Sequence, residues 1–283
     1  MPEVYLNGRF MAAEDAKVSA MDRGYLFGDG VYEVIPVYRG QAFLLEGHLA
    51  RLQRSLAEIE IKSPFDNAGW SALIAELVDK NGGGDQSVYL QVTRGSAPQR
   101  DHIFPATVIP GVFMMSNPLK PVAESWHQNG VEVITLDDIR WQRCDIKAIA
   151  LLANCLLKQR AQEAGAQEAL LLRDGALTEG AASNAYIVVN GEIITAPSGN
   201  QILPGITRDL VLELAEQAGI NVQLRYASHE ELKAADEVWI SSSTKELLPV
   251  TRVDGQMVGT GKPGNVWQNL HQRFQEFKSE VLQ

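Results

Sequence analysis

Lys147 is the residue whose type and setting most directly suggest chemistry. It follows the charged stretch 138–145 and precedes the apolar run 148–153, which predicts a helix. A lysine at that boundary loses water and meets the positive end of a helix dipole, and both effects lower its pKa below about 10.4. Such an amine can act as a nucleophile and base. The alternative is a surface lysine paired with Asp145, the commoner case for an isolated lysine.

A second set of residues suits a phosphate ligand. A dianionic phosphate needs positive charge and backbone N–H groups, and the helix predicted to open at Gly205-Ile206-Thr207 offers the N–H groups. Arg51 and the hydroxyls of the run 241–244 are candidates to complete the site. An arginine about 4 Å from the phosphate contributes about 4 kcal/mol before desolvation, against about 1 kcal/mol for a helix dipole. Each signal alone is weak, because such arginines are usually solvated and serine runs are usually turns.

Two further motifs suit the other groups of a charged organic ligand. In Thr178-Glu179-Gly180 an acid lies between a turn and a strand. A buried carboxylate there would keep a pyridine nitrogen protonated, as an electron-sink cofactor requires, whereas the alternative is an ordinary turn glutamate. Arg100-x-His102 places two donors on one side of a loop, which suits a substrate carboxylate. A solvated surface loop is the commoner outcome for that spacing.

Composition and spacing exclude other function classes. The chain has 283 residues, with 25 basic and 35 acidic side chains and a net charge of −10, which argues against a nucleic-acid or membrane partner. Two cysteines predict free thiols in a reducing compartment, and no apolar run could span a bilayer, so we expect a cytosolic protein. Histidine and cysteine spacing predicts no metal site, Gly28-Asp-Gly30 precedes a strand where a dinucleotide fingerprint needs a helix, and 255–262 departs from a Walker loop.

The elements that must position these residues alternate irregularly. Strands occur in runs with helices between them, without a regular β-α-β order, which predicts an α+β fold. Apolar residues at helical spacing predict a helix over 46–59, and Asn7-Gly8 predicts a hairpin turn. The polar stretch 116–122 contains two prolines and is the candidate linker. It would separate a smaller N-terminal domain, residues 1–115, from a larger C-terminal domain, residues 123–283.

With these motifs assembled, the chain resembles the fold type IV pyridoxal-phosphate enzymes, the class IV aminotransferases, along essentially its full length. The resemblance rests on ordered motifs, namely Arg23-Gly-Tyr-x-Phe-Gly-Asp-Gly-Val-Tyr-Glu33, His48-x-x-Arg51-Leu, Asp138-Ile-Arg-Trp-x-Arg-Cys-Asp-Ile-Lys147, Thr178-Glu-Gly180, Leu203-Pro-Gly-Ile-Thr-Arg208 and the serine run. Within that family it is most similar to the bacterial D-amino acid transaminases, because Val92-Thr-Arg-Gly95 followed by Arg100-x-His102 matches their carboxylate-binding loop. Branched-chain transaminases and aminodeoxychorismate lyases generally lack that loop.

The resemblance implies a role for each candidate residue. Pyridoxal 5'-phosphate would be bound covalently by Lys147, with Glu179 on its pyridine nitrogen and Leu203 against its ring. The implied phosphate site consists of Arg51, Ile206, Thr207, Ser242 and Ser243. The substrate carboxylate would be bound by Tyr32 together with Arg100 and His102 of the other subunit, so the resemblance implies an obligate homodimer. The larger domain, 123–283, would bind the cofactor.

The implied reaction is amino-group transfer from a D-amino acid, with D-alanine as the expected donor, to 2-oxoglutarate, giving pyruvate and D-glutamate. An L-branched-chain or (R)-amine transaminase of the same fold is the alternative among enzymes. A binding protein that keeps the fold without activity is the alternative from another class. Ala181 and Ala182 stand where D-amino acid transaminases often carry serines, so we expect a different hydrogen-bond network beside the cofactor.

Overall fold

The computed structural model describes residues 2–282, which divide into two compact units. The first unit runs to Lys120 and also takes in residues 146–150 and Leu282. The second consists of residues 121–145 and 151–281. The segment that carries Lys147 therefore clusters with the first unit. The linker at 116–122 stays a prediction, and its first three residues belong to a strand that ends at Pro118.

The first unit contains a six-stranded antiparallel sheet with the strand order β2-β1-β6-β5-β3-β4. Its strands are β1 (Glu3–Leu6), β2 (Arg9–Ala12), β3 (Gly30–Tyr38), β4 (Gln41–Ala42), β5 (Gln86–Thr93) and β6 (Gly111–Pro118). The hairpin predicted at Asn7-Gly8 is confirmed, because both residues have positive φ angles, 47° and 95°, between β1 and β2. Such angles match the twist of the paired strands.

Among the described residues, the first unit has three α-helices, namely α1 (Arg23–Phe27), α2 (Leu45–Glu58) and α3 (Asn67–Lys80). The buried side chains of α2 and α3, including Leu52 and Trp70, form one apolar core with the sheet. The predicted helix over 46–59 is confirmed to within one residue. The stretch that begins at Arg23 is helical in its first part. Asp22 caps α1 there by accepting the Gly24 N–H at 2.8 Å, and the helix ends at a Gly28 with φ of 68°.

The second unit contains a ten-stranded mixed sheet. Its strands are β7 (Val131–Asp137), β8 (Glu168–Arg173), β9 (Ala176–Gly180), β10 (Asn184–Val189), β11 (Glu192–Thr195), β12 (Val222–Leu224), β13 (Ala227–Ser228), β14 (Glu237–Ser242), β15 (Glu246–Val253) and β16 (Gln256–Met257). The strand order is β12-β11-β10-β14-β15-β7-β8-β9-β13, with β16 paired to β15. Parallel and antiparallel pairings occur together, as is common in α+β folds.

Five helices belong to the second unit. They are α4 (Glu124–Asn129), α5 (Leu152–Glu163), α6 (Ile206–Gln217), α7 (His229–Ala234) and α8 (Asn265–Val281). The helix expected to begin at Ala148 begins instead at Leu152. Within residues 2–282, no helix is both long and apolar enough to cross a membrane.

Candidate active site

Lys147 is positioned by strand-like pairing with the start of β3. The Tyr32 N–H donates to the carbonyl of Lys147 at 3.0 Å, and the Ile149 N–H donates to the carbonyl of Gly30 at 3.0 Å. Between these bonds, Ala148 pairs with Val31. The prediction that Lys147 lies at a helix N-terminus is therefore wrong, because residues after it are held in extended pairing. The backbone of β3 therefore positions Lys147.

The Lys147 side chain extends over an aromatic surface. Its Nζ lies 4.2 Å from the centre of the Tyr32 ring. The Tyr32 ring stacks on Tyr89 with 5.6 Å between centroids, and the Tyr89 hydroxyl donates to Gln91 at 2.7 Å. A cation over such a ring gains about 0.5–1 kcal/mol at a partly exposed site. The structure therefore brings two of the predicted site residues, Tyr32 and Lys147, into direct contact.

Arg51, predicted to bind phosphate, is held by a buried acid. Nε and Nη2 of Arg51 donate to Glu33 at 2.8 and 2.7 Å, and Nδ1 of His48 lies 2.8 Å from the same carboxylate. Burial alone would raise the pKa of Glu33, but the charge and hydrogen bonds of Arg51 and His48 lower it to about 2. The bonds to Glu33 use two of the five N–H donors of the guanidinium. The phosphate role of Arg51 stays a prediction.

The loop that carries Arg100 and His102 is anchored by a buried arginine. Arg23 is 3% exposed and donates to the carbonyls of Asp101, His102 and Ile103 at 2.5, 3.3 and 3.5 Å. Its Nε also donates to Asp29 at 2.7 Å. Three consecutive carbonyls are thus tied to one guanidinium, whose charge is balanced by Asp29.

A second buried arginine supports the same loop. Arg94 donates to Asp29 at 2.8 Å and to the carbonyl of Ile59 at 2.6 Å. Its guanidinium carbon lies 3.5 Å from the centre of the Phe104 ring. One carboxylate, Asp29, therefore joins two arginines, and these hold the loop on either side of residue 102.

Arg100 and His102 themselves are exposed and share one packing partner. The guanidinium carbon of Arg100 lies 4.7 Å from the centre of the Phe27 ring, and the His102 ring centroid lies 5.3 Å from the same ring. The structure therefore places both predicted carboxylate-binding side chains beside the end of α1. Two donors held together in this way suit a single anionic group.

Glu179 lies on β9 and is surrounded by donors. Arg140 donates to its Oε1 at 2.5 Å, Asn184 to its Oε2 at 3.0 Å, and the Leu203 N–H lies 3.0 and 3.1 Å from the two oxygens. The residue is 3% exposed. Burial raises the pKa of Glu179 to about 7, because desolvation outweighs the lowering by Arg140 and Leu203. A cation placed against this carboxyl would favour its ionised form.

Arg140 contacts the candidate residue Glu179 and was not among the site residues predicted from sequence. Besides Glu179 it binds Asp138 with two hydrogen bonds of 2.9 Å, and Arg173 binds the same aspartate at 2.9 Å. Burial raises the pKa of Asp138, but Arg140 and, to a smaller extent, Arg173 lower it by more, so the pKa lies below its usual value. Arg140 lies in the stretch 138–147, which drew attention because it contains Lys147. Its pairing with Glu179 on β9 could not be predicted, because the two residues are distant in sequence.

The residues around the start of α6 form one cluster with Glu179. Asn184 donates to the carbonyl of Leu203 at 2.9 Å as well as to Glu179. A Cβ at Gly205 would overlap Oδ1 of Asn184, so a larger residue at the N-cap would displace the Asn184 side chain that binds Glu179. In the described part of the chain no side chain caps α6, whose first residues are the predicted phosphate ligands Ile206 and Thr207.

The predicted phosphate residues Ser242 and Ser243 lie at the end of β14. Ser242 is the last residue of that strand, and its neighbour Ser241 pairs with Asn184 of β10. The register thus connects the serine run with the residue that binds Glu179. Ala181, which stands where D-amino acid transaminases often carry a serine, belongs to a buried apolar cluster with Leu157 and Ala161. Ala182 is exposed.

The chain is similar to known proteins over nearly its whole length. The profile of a family described as Amino-transferase class IV matches residues 30–253. A D-alanine aminotransferase of Bacillus licheniformis is 48% identical over 274 residues, which cover 96% of each chain. The branched-chain amino acid aminotransferase of Escherichia coli has a TM-score of 0.90 at 27% identity, covering 97% of this chain and 94% of that one. The T.th. branched-chain amino acid aminotransferase with pyridoxamine 5'-phosphate has a TM-score of 0.89 at 27% identity, covering 97% of this chain and 93% of that one.

Proposed function

The chain belongs to the class IV aminotransferase family, and we propose that it transfers the amino group of D-alanine reversibly to 2-oxoglutarate, giving pyruvate and D-glutamate. The predicted α+β fold of type IV and the predicted cofactor, pyridoxal 5'-phosphate, are confirmed by the family and fold matches. The 48% identical relative is named for D-alanine, whereas the branched-chain structures share 27% identity. The structural observation that carries the choice is the anchored loop with Arg100 and His102.

The residues of each unit fit the chemistry of pyridoxal phosphate. A protonated pyridine nitrogen needs a buried carboxylate, and Glu179 is buried with a raised pKa that a cationic partner would lower. The attachment point needs a positioned amine, and the backbone of Lys147 is held by the Tyr32 N–H of β3 at its carbonyl and by the Ser55 hydroxyl at its N–H. When bound, the cofactor supplies the electron sink for the pair released at the substrate Cα.

The roles of the site residues follow from their chemistry. Nζ of Lys147 would hold the cofactor and, when free, would take the Cα proton of the substrate. Glu179 would keep the pyridine nitrogen protonated, and Leu203 would contact the ring. The phosphate would be bound by Arg51, Ile206, Thr207, Ser242 and Ser243. The substrate α-carboxylate is bound by Tyr32, Arg100 and His102.

The proposal includes a homodimer in which Arg100 and His102 serve the partner's site. Three large apolar side chains of the first unit, Tyr25, Ile103 and Ile109, are 75%, 77% and 87% exposed. Ile103 and Ile109 flank the anchored loop. Exposed apolar side chains next to a functional loop are typical of an interface between subunits. The free thiols of Cys144 and Cys155 support a cytoplasmic location.

The test is covalent labelling followed by a donor panel. Borohydride reduction of the purified enzyme should fix the cofactor on Lys147, which peptide mass spectrometry identifies. A colourless protein with no reducible linkage would instead indicate the inactive binding protein. Assays with D-alanine, L-leucine and an (R)-arylamine as donors should give product from D-alanine. Preference for L-leucine or the arylamine would assign the alternative transaminases.

A further inference from the structure

Lys245 occupies a turn that follows directly on the predicted phosphate serines. Ser242 of β14 pairs with Glu246 of β15, so residues 243–245 form the connecting loop. Glu246 closes the loop with a positive φ of 55°. The two strands fix both ends of this three-residue turn, as in the compact hairpins that end in a left-handed residue. Thr244 and Lys245 are therefore held beside the serines assigned to the cofactor.

The Lys245 ammonium is half-buried and has no hydrogen-bonded acid of its own among the described residues. Across residues 2–282, no hydrogen bond or ion pair reaches its Nζ, and its charged neighbours are Lys158 and Glu168. Burial and then the Lys158 charge lower the pKa of Lys245. Glu168 is already engaged, since Lys158 donates to it at 3.1 Å, Ser183 at 3.2 Å and the Ala169 N–H at 3.0 Å. Two ammonium groups thus share one carboxylate.

The acid next to Lys245 in sequence is also engaged. The carboxylate of Glu246 accepts hydrogen bonds from Lys278 and Gln275 of α8, both at 2.6 Å. The other cations of the second unit near the site motifs have partners as well. Arg140 binds Asp138 and Glu179, and Arg173 binds Asp138.

An ammonium that is half-buried and shares one carboxylate with a second ammonium is only partly compensated for its lost hydration, and an anionic ligand would complete that compensation. Thr244 precedes Lys245 in the loop, and its hydroxyl makes no hydrogen bond within the described residues, so it is available to donate to an anion. An ammonium and a hydroxyl form the donor set that a carboxylate requires.

We propose that Lys245, with the Thr244 hydroxyl, binds the second carboxylate of the dicarboxylic substrates 2-oxoglutarate and D-glutamate. The inference rests on the proposed function, in which Arg100 and His102 bind the α-carboxylate and Arg51 and α6 serve the phosphate. The distal carboxylate is then the one charged group of the reactants without an assigned cation. Lys245 is a specificity-determining residue that distinguishes 2-oxoglutarate from monocarboxylic oxo acids.

The test compares Lys245→Met and Lys245→Arg holoenzymes with the wild type. A charge-assisted hydrogen bond contributes about 1.5–3 kcal/mol, which corresponds to about 10- to 100-fold in affinity. With D-alanine as donor, Lys245→Met should raise KM for 2-oxoglutarate about tenfold or more, whereas KM for 2-oxobutyrate should stay unchanged. Lys245→Arg should keep most of the preference. Lys233→Met, at an exposed lysine of α7, is the matched control and should change neither KM.

A binding measurement separates this role from an effect on turnover. Calorimetric titration of the holoenzyme with glutarate and with butyrate should show weaker glutarate binding in Lys245→Met and unchanged butyrate binding. Weaker cofactor binding with an equal loss for both oxo acids would assign Lys245 to the phosphate and overturn the proposal. Unchanged glutarate binding and KM would overturn it too. A wild type that forms no glutamate would refute the proposed function along with this inference, whereas an active enzyme with an unaffected Lys245→Met variant would refute the inference alone.

Discussion

Arg51 donates to both carboxylate oxygens of Glu33, from Nε at 2.8 Å and from Nη2 at 2.7 Å, with neither side chain more than 4% exposed. This fork-to-fork geometry fixes the plane of the guanidinium as well as its position. Nδ1 of His48 adds a third contact to the same acid. The orientation of the predicted phosphate arginine is therefore set by a strand residue, Glu33, next to Tyr32.

Removing this acid should destabilise the fold. Glu33→Gln leaves the buried Arg51 charge without its partner, and we expect a loss of about 3–5 kcal/mol in the free energy of unfolding. Urea denaturation of the apoenzyme measures it. Glu76→Gln, at an exposed acid of α3, serves as the control and should change stability by less than about 0.5 kcal/mol. A loss for Glu33→Gln no larger than that of the control would contradict the role assigned to the pair.

The same pair predicts a pH dependence of stability. The pKa of Glu33 is lowered to about 2 from a usual value of 4.5, so the folded state binds fewer protons than the unfolded state between these values. The stabilisation is complete above pH 4.5 and is lost as the pH falls through 2. The unfolding free energy of the wild type should therefore fall more steeply over that range than that of Glu33→Gln. Parallel profiles would show that Glu33 is not the responsible group.

Glu179→Gln should slow turnover while the protein stays folded. Glutamine keeps a carbonyl for the Leu203 N–H but cannot hold a pyridine nitrogen in its protonated form. We expect kcat to fall on the order of 100-fold, the scale of one preorganised electrostatic partner in a buried site. Stopped-flow absorbance of the half-reaction with D-alanine measures the step directly. Glu216→Gln, exposed on α6, is the control, and equal rates for the two variants would argue against the pyridine role.

Sharing of the site between subunits can be tested by mixing two inactive variants. Lys147→Ala lacks the amine, and the double variant Arg100→Ala with His102→Ala lacks the carboxylate-binding pair. If Arg100 and His102 serve the partner's site, a mixed dimer contains one site with both sets intact. Random exchange in a two-fold dimer should then restore about a quarter of the wild-type activity.

The control for that experiment is each variant subjected alone to the same dissociation and reassociation. Neither should gain activity. If Arg100 and His102 served the site of their own chain, every site in a mixed dimer would carry one defect. Mixing would then restore nothing, and the arrangement proposed for the homodimer would be wrong.

Local patterns predicted the elements that depend on neighbouring residues. The periodicity of Leu49, Leu52 and Leu56 predicted α2, and Asn7-Gly8 predicted the first hairpin. The start of α5 was not predictable in this way. Ala148 belongs to an apolar run that resembles a helix, yet it pairs with Val31 from a distant part of the chain. The periodicity of apolar residues reports only on neighbouring positions, so it cannot show that a distant strand pairs with the segment and prevents a helix there.

The site shows the same division between local and distant signals. Lys147, Glu179 and Arg51 stand in compact motifs and could be named from sequence. The arginines that hold Glu179 and the loop of Arg100 and His102 could not be named in this way. Arg140 contacts Glu179, and Arg23 contacts Asp101, only because the fold brings distant parts of the sequence together. Side-chain networks of this kind join residues whose spacing follows no fixed rule.

The stereochemistry of the product tests the central claim most directly. The enzyme is incubated with D-alanine and 2-oxoglutarate, and the glutamate formed is resolved by chiral chromatography, with L-alanine and L-leucine as parallel donors. We predict D-glutamate from D-alanine and little product from either L-amino acid. Formation of L-glutamate, or a faster reaction with L-leucine than with D-alanine, would contradict the assignment.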